Sequence, residues 1–165
     1  MSSQLERNEG HTESADMLAD GVVDKADYDR AFNNLVTCMR EGGYDVSTPA
    51  INPADGLTFL FEYRTQGRDL HAMNDHSLAC ETKYWGAVSA SYAATNEQRM
   101  DEPVRSSVQV CMKNLGYDVP DDARSFRAIA GDPIDEGTRD RYATECLGEA
   151  ITRLHPEIKS FGISG

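Results

Sequence analysis

Apolar residues recur at helical spacing in five segments of the chain, each bounded by a capping residue, a glycine or a proline. The first segment follows Asp24, whose carboxylate is the predicted N-cap, and ends at the glycine pair Gly42-Gly43. The other predicted helices start at Asn74 or Asp75, span about Glu97–Leu115, cover Ala123–Ala130, and run from Thr138 to about His155. The pattern therefore predicts a chain that is mainly helical.

A period-2 pattern runs from Leu57 to Arg64, with large apolar residues at every second position, and predicts a β-strand. A single strand needs a partner, and the short segments Tyr44–Val46 and Tyr117–Val119 are the candidates. The predicted fold class is accordingly mainly α with a minor β element (α+β).

Two nine-residue segments, Cys38–Val46 and Cys111–Val119, share Cys, Met, Gly, Tyr, Asp and Val at a constant offset of 73 positions. Each reads as a helix end, in which a glycine with positive φ is followed by an extended segment. We interpret this repetition as a tandem duplication of a disulfide-linked helical hairpin unit.

The repeats divide the chain into three predicted regions. A polar, flexible arm covers residues 1–15, and a single compact domain covers residues 16–155. That domain contains two repeats, at about 20–96 and 97–155, and a C-terminal tail covers residues 156–165.

The four cysteines lie two in each repeat and allow three disulfide connectivities. The simplest joins Cys38 to Cys80 and Cys111 to Cys146, one bond within each repeat. Free buried thiols and pairing between the repeats are the alternatives. Disulfides would place the protein in an oxidising compartment outside the cytoplasm, whereas four reduced thiols would suit a cytoplasmic protein.

The net charge of the chain restricts the kinds of molecule that it is expected to bind. The net charge is −12 and the isoelectric point about 4.6, so nucleic acid and anionic membrane surfaces would be repelled. No run approaches the roughly 18 apolar residues of a transmembrane helix, and the polar N-terminal segment lacks the apolar core of a signal peptide. We expect a protein partner, basic in one alternative, and the expectation of export rests on the cysteines.

Few residues of the chain have the type and spacing that metal binding or catalysis requires. The densest set of potential metal ligands is Asp69, His71, Asp75 and His76, although the histidines are five residues apart, whereas zinc-binding helices use a spacing of four. Solvated loop histidines are the alternative interpretation. The aspartates from Asp16 to Asp27 fit a calcium loop only in part, because Leu18 occupies a ligand position. No nucleophile motif or phosphate loop is present, so we predict no catalytic residue and no cofactor.

The segment Asp20-Gly21-Val22-Val23, followed by Tyr28, Ala31, Cys38 and Gly43, and later by Cys80-Glu81, resembles a recurrent pattern of small extracytoplasmic proteins of actinobacteria. The resemblance covers roughly residues 19–119, and Asp24 and Asp27 stand where that pattern has Thr and Glu. It implies a secreted or lipid-anchored protein with paired cysteines and implies no activity.

Three functions fit the sequence. The first is an exported, disulfide-stabilised binding or structural protein without enzymatic activity. The second is an acidic inhibitor or immunity-type module that covers a basic surface of its partner. The third is a metal-binding protein or enzyme that uses the Asp69 to His76 segment.

Overall fold

The computed structural model describes residues 14–161 and divides into two compact units. Unit 1 contains the chain up to Pro49 together with Phe61–Asn96, and unit 2 contains Ala50–Leu60 and the chain from Glu97 onwards. Residues 50–60, which the repeat pattern places in the first repeat, therefore belong to unit 2. Most of the predicted arm and the last four residues of the predicted tail lie outside the described residues, whereas residues 14–18 are helical.

The fold is mainly helical with two small antiparallel sheets. In chain order the elements are α1 (Lys25–Glu41), β1 (Asp45–Val46), β2 (Ala50–Ile51), β3 (Phe59–Leu60), β4 (Tyr63–Arg64), α2 (Leu70–Cys80), a π-helix (Glu81–Trp85), α3 (Gly86–Thr95), α4 (Glu102–Asn114), α5 (Phe126–Ala130) and α6 (Gly137–Leu154). No helix among the described residues combines the length and the apolar character needed to cross a membrane.

Unit 1 is built around the apolar face of α1. The Asp24 carboxylate accepts a hydrogen bond from the backbone N–H of Asp27 and caps this helix at its N-terminus. Its buried face packs against the helical run formed by α2, the π-helix and α3. The largest fully buried apolar side chains of the unit are Val23, Tyr28, Leu35, Met39 and Val88. Strands β1 and β4 pair with Asp45 opposite Arg64.

Helices α1 and α4 end in the same way. Gly43 and Gly116 have φ of 85° and 89°, a conformation that glycine adopts without strain. In α1 the Tyr44 N–H donates to the carbonyl of Met39, and in α4 the Tyr117 N–H donates to that of Met112, both at 3.1 Å. These are the long hydrogen bonds of a Schellman motif, so both copies of the repeated segment end a helix as the sequence predicts.

Each unit contains one disulfide bond. Cys38 on α1 is bonded to Cys80 on α2, and Cys111 on α4 is bonded to Cys146 on α6, with a Cα–Cα distance of 5.9 Å in both. The favoured connectivity is confirmed, and both alternatives, free thiols and pairing between repeats, are wrong. The bonds close segments of 42 and 35 residues. Restricting the unfolded chain in this way contributes about 4 kcal/mol each on the entropy model.

Unit 2 forms around the packing of α4 along α6. Helix α5 covers the same core, into which Phe126 and Ile129 are buried. The largest fully buried side chains from α4 and α6 are Val104, Val108, Met112, Leu147 and Ile151. Strands β2 and β3 pair with Ala50 opposite Leu60.

A buried polar turn joins β2 to β3. Asn52 and Asp55 are 1% and 2% exposed, and their side chains satisfy the backbone of the turn. The Asp55 carboxylate accepts from the N–H groups of Leu57 and Thr58 at 2.8 and 2.9 Å. Asn52 Oδ1 accepts from the N–H of Ala54 at 3.0 Å. Burial of these two side chains is tolerated because their polar atoms are hydrogen-bonded.

Several predicted boundaries are wrong for identifiable reasons. The predicted strand from Leu57 to Arg64 is two short strands that pair with different partners. Tyr117–Val119 is not a strand, and the Asp118 carbonyl accepts instead from the Arg139 guanidinium. Helix α2 begins four to five residues before the predicted start, because Asp69 rather than Asn74 or Asp75 is its N-cap. Helix α4 begins at Glu102 rather than Glu97, with Pro103 in its first turn.

Candidate functional site

The most exposed large apolar residue among the described residues is Ile134, in the loop between α5 and α6 of unit 2. Its exposed fraction is 91%, whereas the next exposed large apolar side chains range from 47% to 65%. We call residues 131–136 the Ile134 loop. A side chain of this size in water gains about 1.5–3 kcal/mol when it is buried, so a protruding isoleucine is a natural contact residue.

Local hydrogen bonds hold the Ile134 loop in one conformation. Asp132 Oδ1 accepts from the Ile134 N–H at 2.9 Å, and the Asp132 carbonyl accepts from the Glu136 N–H at 2.7 Å. Gly131 has a φ of 75° where the chain leaves α5, and its carbonyl accepts from Arg127 at 3.1 Å. The loop therefore presents Ile134 on an ordered turn.

A shallow hollow of about 330 Å³ lies beside the loop, at the N-terminal end of α6. Its lining includes Tyr117, Asp135, Glu136 and Arg139. Arg139 packs against the Tyr117 ring at 5.8 Å and donates to two backbone carbonyls, those of Ile129 at 2.9 Å and Asp118 at 3.0 Å. Its guanidinium is therefore held by the protein itself and supports the floor of the hollow.

The surroundings of Ile134 are acidic. Asp132, Asp135 and Glu136 are exposed, and Glu136 lies 3.5 Å from Arg139. Asp132 and Asp135 have no ion-pair partner within the part of the chain that the structure describes. The site thus combines one protruding apolar side chain with excess negative charge, which is complementary to a basic surface that has an apolar depression.

Sequence reasoning missed Ile134. The pattern of residues 131–133 predicts the end of α5 and nothing about the residue that follows. A signal was nevertheless present, because Ile134 is an isolated aliphatic residue between Pro133 and Asp135 and fits neither helical stripe. An apolar residue within a turn of Gly, Asp and Pro has no core to enter.

The predicted metal-ligand set in unit 1 does not form a cluster. Residues 70–80 are a helix rather than a loop, and the Asp69 carboxylate accepts from the Ala72 N–H at 2.8 Å as the helix cap. His71 and Asp75 are exposed, whereas His76 is half-buried. Among the described residues, the one group of three side chains with metal-binding spacing contains His76 together with Cys38 and Cys80.

Two aspartates of the partial calcium loop accept hydrogen bonds from backbone N–H groups. Asp20 Oδ1 accepts from the Val22 N–H at 3.0 Å, and Asp24 caps α1. The Asp20 bond forms an Asx turn before α1, and the Asp24 bond is the N-cap that the sequence predicts.

An aromatic cluster lies beside the π-helix of unit 1. Tyr28 stacks on Tyr92 at 4.1 Å between ring centroids and contacts Trp85 at 4.8 Å. The Tyr63 hydroxyl donates to the Glu81 carboxylate at the start of the π-helix, and burial together with this bond raises the pKa of Tyr63. Trp85 thus packs among core aromatics, and the cluster orders the junction between α2 and α3.

A scan against protein-family models found no matching family, and searches of curated proteins and of solved structures found no match.

Proposed function

We propose that this protein is an exported, disulfide-stabilised binding protein without enzymatic activity, and that the Ile134 loop is its contact surface. The partner is a protein whose basic surface surrounds an apolar depression. One observation carries the proposal: Ile134 is 91% exposed in a loop held by its own hydrogen bonds and flanked by acidic residues.

The energetics of the loop favour binding in two ways. Burial of the Ile134 side chain would contribute about 1.5–3 kcal/mol. The loop is already ordered by Asp132 and Gly131, so little conformational entropy remains to be lost on association. The acidic residues would steer a basic partner and raise the association rate.

Export is supported by the two disulfides. Both bond residues on neighbouring helices within one unit, and none of the four cysteines is free. Such bonds persist in oxidising compartments and are rare in the cytosol. The resemblance of the first cysteine-bearing helix to extracytoplasmic proteins of actinobacteria supports the same compartment.

We further propose that the two units descend from one helical hairpin by tandem duplication. Cys38 and Cys111 each lie three residues before the last residue of their helix, and each helix ends in the same glycine-dependent motif. In both units the second cysteine lies on a later helix of the same unit. The binding loop is then a feature of the second unit only.

Site-specific photo-crosslinking tests the contact surface. A photoreactive amino acid replaces Ile134 in one variant and Val110 in a matched control, since Val110 is 59% exposed on α4 of the same unit. Expressed in the organism that makes the protein, the first variant should crosslink to one protein and the second should not. Equal crosslinking from both positions would contradict the proposal.

Binding of the captured protein then tests the chemistry. Ile134→Ser should weaken binding about 10- to 100-fold through loss of apolar burial. Asp135→Asn should lower the association rate, and this effect should disappear at high salt. Salt-insensitive binding, or a partner with an acidic surface, would contradict the proposal.

The inhibitor alternative is the case in which the captured partner is an enzyme. The excess of acidic residues around Ile134 is compatible with this case, because such a surface is complementary to a basic enzyme surface that has an apolar depression. Loss of the partner's activity with wild-type protein, and retention of that activity with Ile134→Ser, would identify this case.

A further inference from the structure

Two cysteines and one histidine of unit 1 meet at one place. The sulfurs of Cys38 and Cys80 and a ring nitrogen of His76 all lie within 4.8 Å of one another. Cys80 is 1% exposed, and Cys38 and His76 are half-buried. We propose that reduction of the Cys38–Cys80 disulfide converts this place into a binding site for a thiophilic divalent cation such as Zn²⁺, so that disulfide and metal are alternative occupants.

Helix geometry places the ligands. His76 and Cys80 are four residues apart on α2 and therefore lie on one face of that helix, with the spacing used by zinc-binding helices. Cys38 faces them from the last turns of α1, whose end is fixed by the Gly43 motif. In a tetrahedral zinc site, Zn–S distances of about 2.3 Å put two thiolates about 3.8 Å apart. Side-chain rotation can provide that separation once the sulfur–sulfur bond is broken.

One ring nitrogen of His76 is already hydrogen-bonded. His76 Nε2 lies 2.8 Å from the carbonyl oxygen of Cys38. A carbonyl oxygen only accepts, so Nε2 donates to it, which leaves Nδ1 as the ring nitrogen that could bind a metal. Metal-binding histidines commonly donate their second ring nitrogen to a backbone carbonyl in this way. The ring also packs over Gly42, where a Cβ atom would come within 2.3 Å of Nε2.

Among the described residues of unit 2, no third ligand lies beside the disulfide. Its disulfide has the same Cα–Cα distance, 5.9 Å, and the same position near the end of a helix. The residue four positions before Cys146 is Tyr142, however, and a neutral phenol is a poor ligand for zinc. The chain therefore contains an internal control, with one dithiol beside an imidazole and one without it.

Reduction of the disulfide precedes metal binding. A dithiol reductant transfers two electrons and two protons to the disulfide, which yields two thiols of the protein and one disulfide of the reductant. Binding of Zn²⁺ then releases the two thiol protons, since zinc coordinates the thiolates. Two thiolates and one imidazole leave a fourth position for water.

Zinc titration of the reduced full-length chain tests the proposal. A phosphine reduces the protein anaerobically, because dithiols themselves bind zinc, and competition with a coloured chelator measures the affinity. One double variant, Cys111→Ala with Cys146→Ala, keeps the unit 1 pair, and the other, Cys38→Ala with Cys80→Ala, keeps the unit 2 pair. Each is compared with and without His76→Ala, and Tyr142→Ala is the matched control.

The variant that keeps the unit 1 pair should bind one Zn²⁺ per chain. The variant that keeps the unit 2 pair should bind Zn²⁺ about 100-fold more weakly. His76→Ala should weaken binding at least about tenfold, whereas Tyr142→Ala should leave it unchanged. Zinc should also slow reoxidation of Cys38 with Cys80, measured by alkylation and peptide mass, but not that of Cys111 with Cys146. Equal zinc binding by the two pairs, binding independent of His76, or no binding would overturn the proposal, even where the reduced chain has lost its fold.

Discussion

Two glycines of unit 2 should respond in opposite directions to the same substitution. Gly116 ends α4 with a φ of 89°, and Gly137 is the first residue of α6 without a positive φ. A Cβ atom added at either position meets no other atom within 4 Å. Packing therefore contributes nothing to either substitution, and backbone conformation alone decides the outcome.

The magnitudes follow from the backbone. A non-glycine residue in the left-handed region costs about 1–2 kcal/mol, and a gain of about 0.4–1 kcal/mol from the less flexible unfolded chain offsets part of that cost. Gly116→Ala should therefore destabilise unit 2 by about 1 kcal/mol. Gly137→Ala should stabilise it by about 0.5 kcal/mol, since only the unfolded-state gain and the better helix former remain.

Equilibrium unfolding in urea measures both effects. Because the two positions lie in one compact unit, we expect both substitutions to act on the same unfolding transition. With a slope of about 2 kcal/mol per molar urea, the midpoints of the two variants should differ by about 0.7 M. Gly116→Asn is the control, since asparagine tolerates the left-handed conformation and should lose less stability. A Gly116→Ala variant as stable as wild type would refute the reasoning.

Two further predictions concern unit 2. A Cβ atom at Gly56, where φ is 63°, would lie 2.1 Å from the backbone oxygen of Arg99, so Gly56→Ala should cost about 3 kcal/mol of unfolding free energy in the same assay; an unchanged midpoint would contradict the close approach. The hydrogen bond with Asp101, at 3.2 Å and reinforced by Glu157, raises the pKa of His155. A raised folded-state pKa stabilises the protein fully below the unfolded value of about 6.5 and loses that contribution as the pH rises through the folded value. The stability difference between wild type and Asp101→Asn should therefore shrink between pH 6 and pH 8, and a constant difference would contradict the assignment.

Sequence periodicity predicts those parts of the fold that local rules determine. The ends of α1 and α4 follow from glycines that adopt positive φ, and the start of α1 follows from the Asp24 cap. The cysteine pairing was favoured because each pair lies within one repeat. All of these features depend on residues close in sequence or on a repeated pattern.

The features that sequence reasoning missed depend on distant contacts. Phe59–Leu60 and Tyr63–Arg64 share one alternating pattern and therefore look like one strand. They pair with different strands, β2 and β1, and the alternation carries no information about either partner. The π-helix contains no buried residue, so the spacing of buried apolar residues does not reveal it. His76 meets Cys38 because α1 and α2 pack together, although the two residues are 38 positions apart.

The exposed position of Ile134, on which the proposed contact surface rests, is likewise not predicted by periodicity. Core prediction asks which apolar residues share a face, and a single isoleucine in a turn belongs to none. Ile134 becomes a candidate contact residue only when the exposed fraction of its side chain and the hydrogen bonds of the loop are known.

Each unit is closed by its own disulfide, and the proposals of export and of a reduction-dependent metal site both depend on this pairing. Peptide mapping of protein purified without reductant and alkylated before proteolysis tests it most directly. We predict crosslinked peptides that join Cys38 to Cys80 and Cys111 to Cys146, with no alkylated cysteine until reductant is added. An alkylated thiol in the unreduced protein, or a peptide that joins cysteines of different units, would contradict this disulfide pairing.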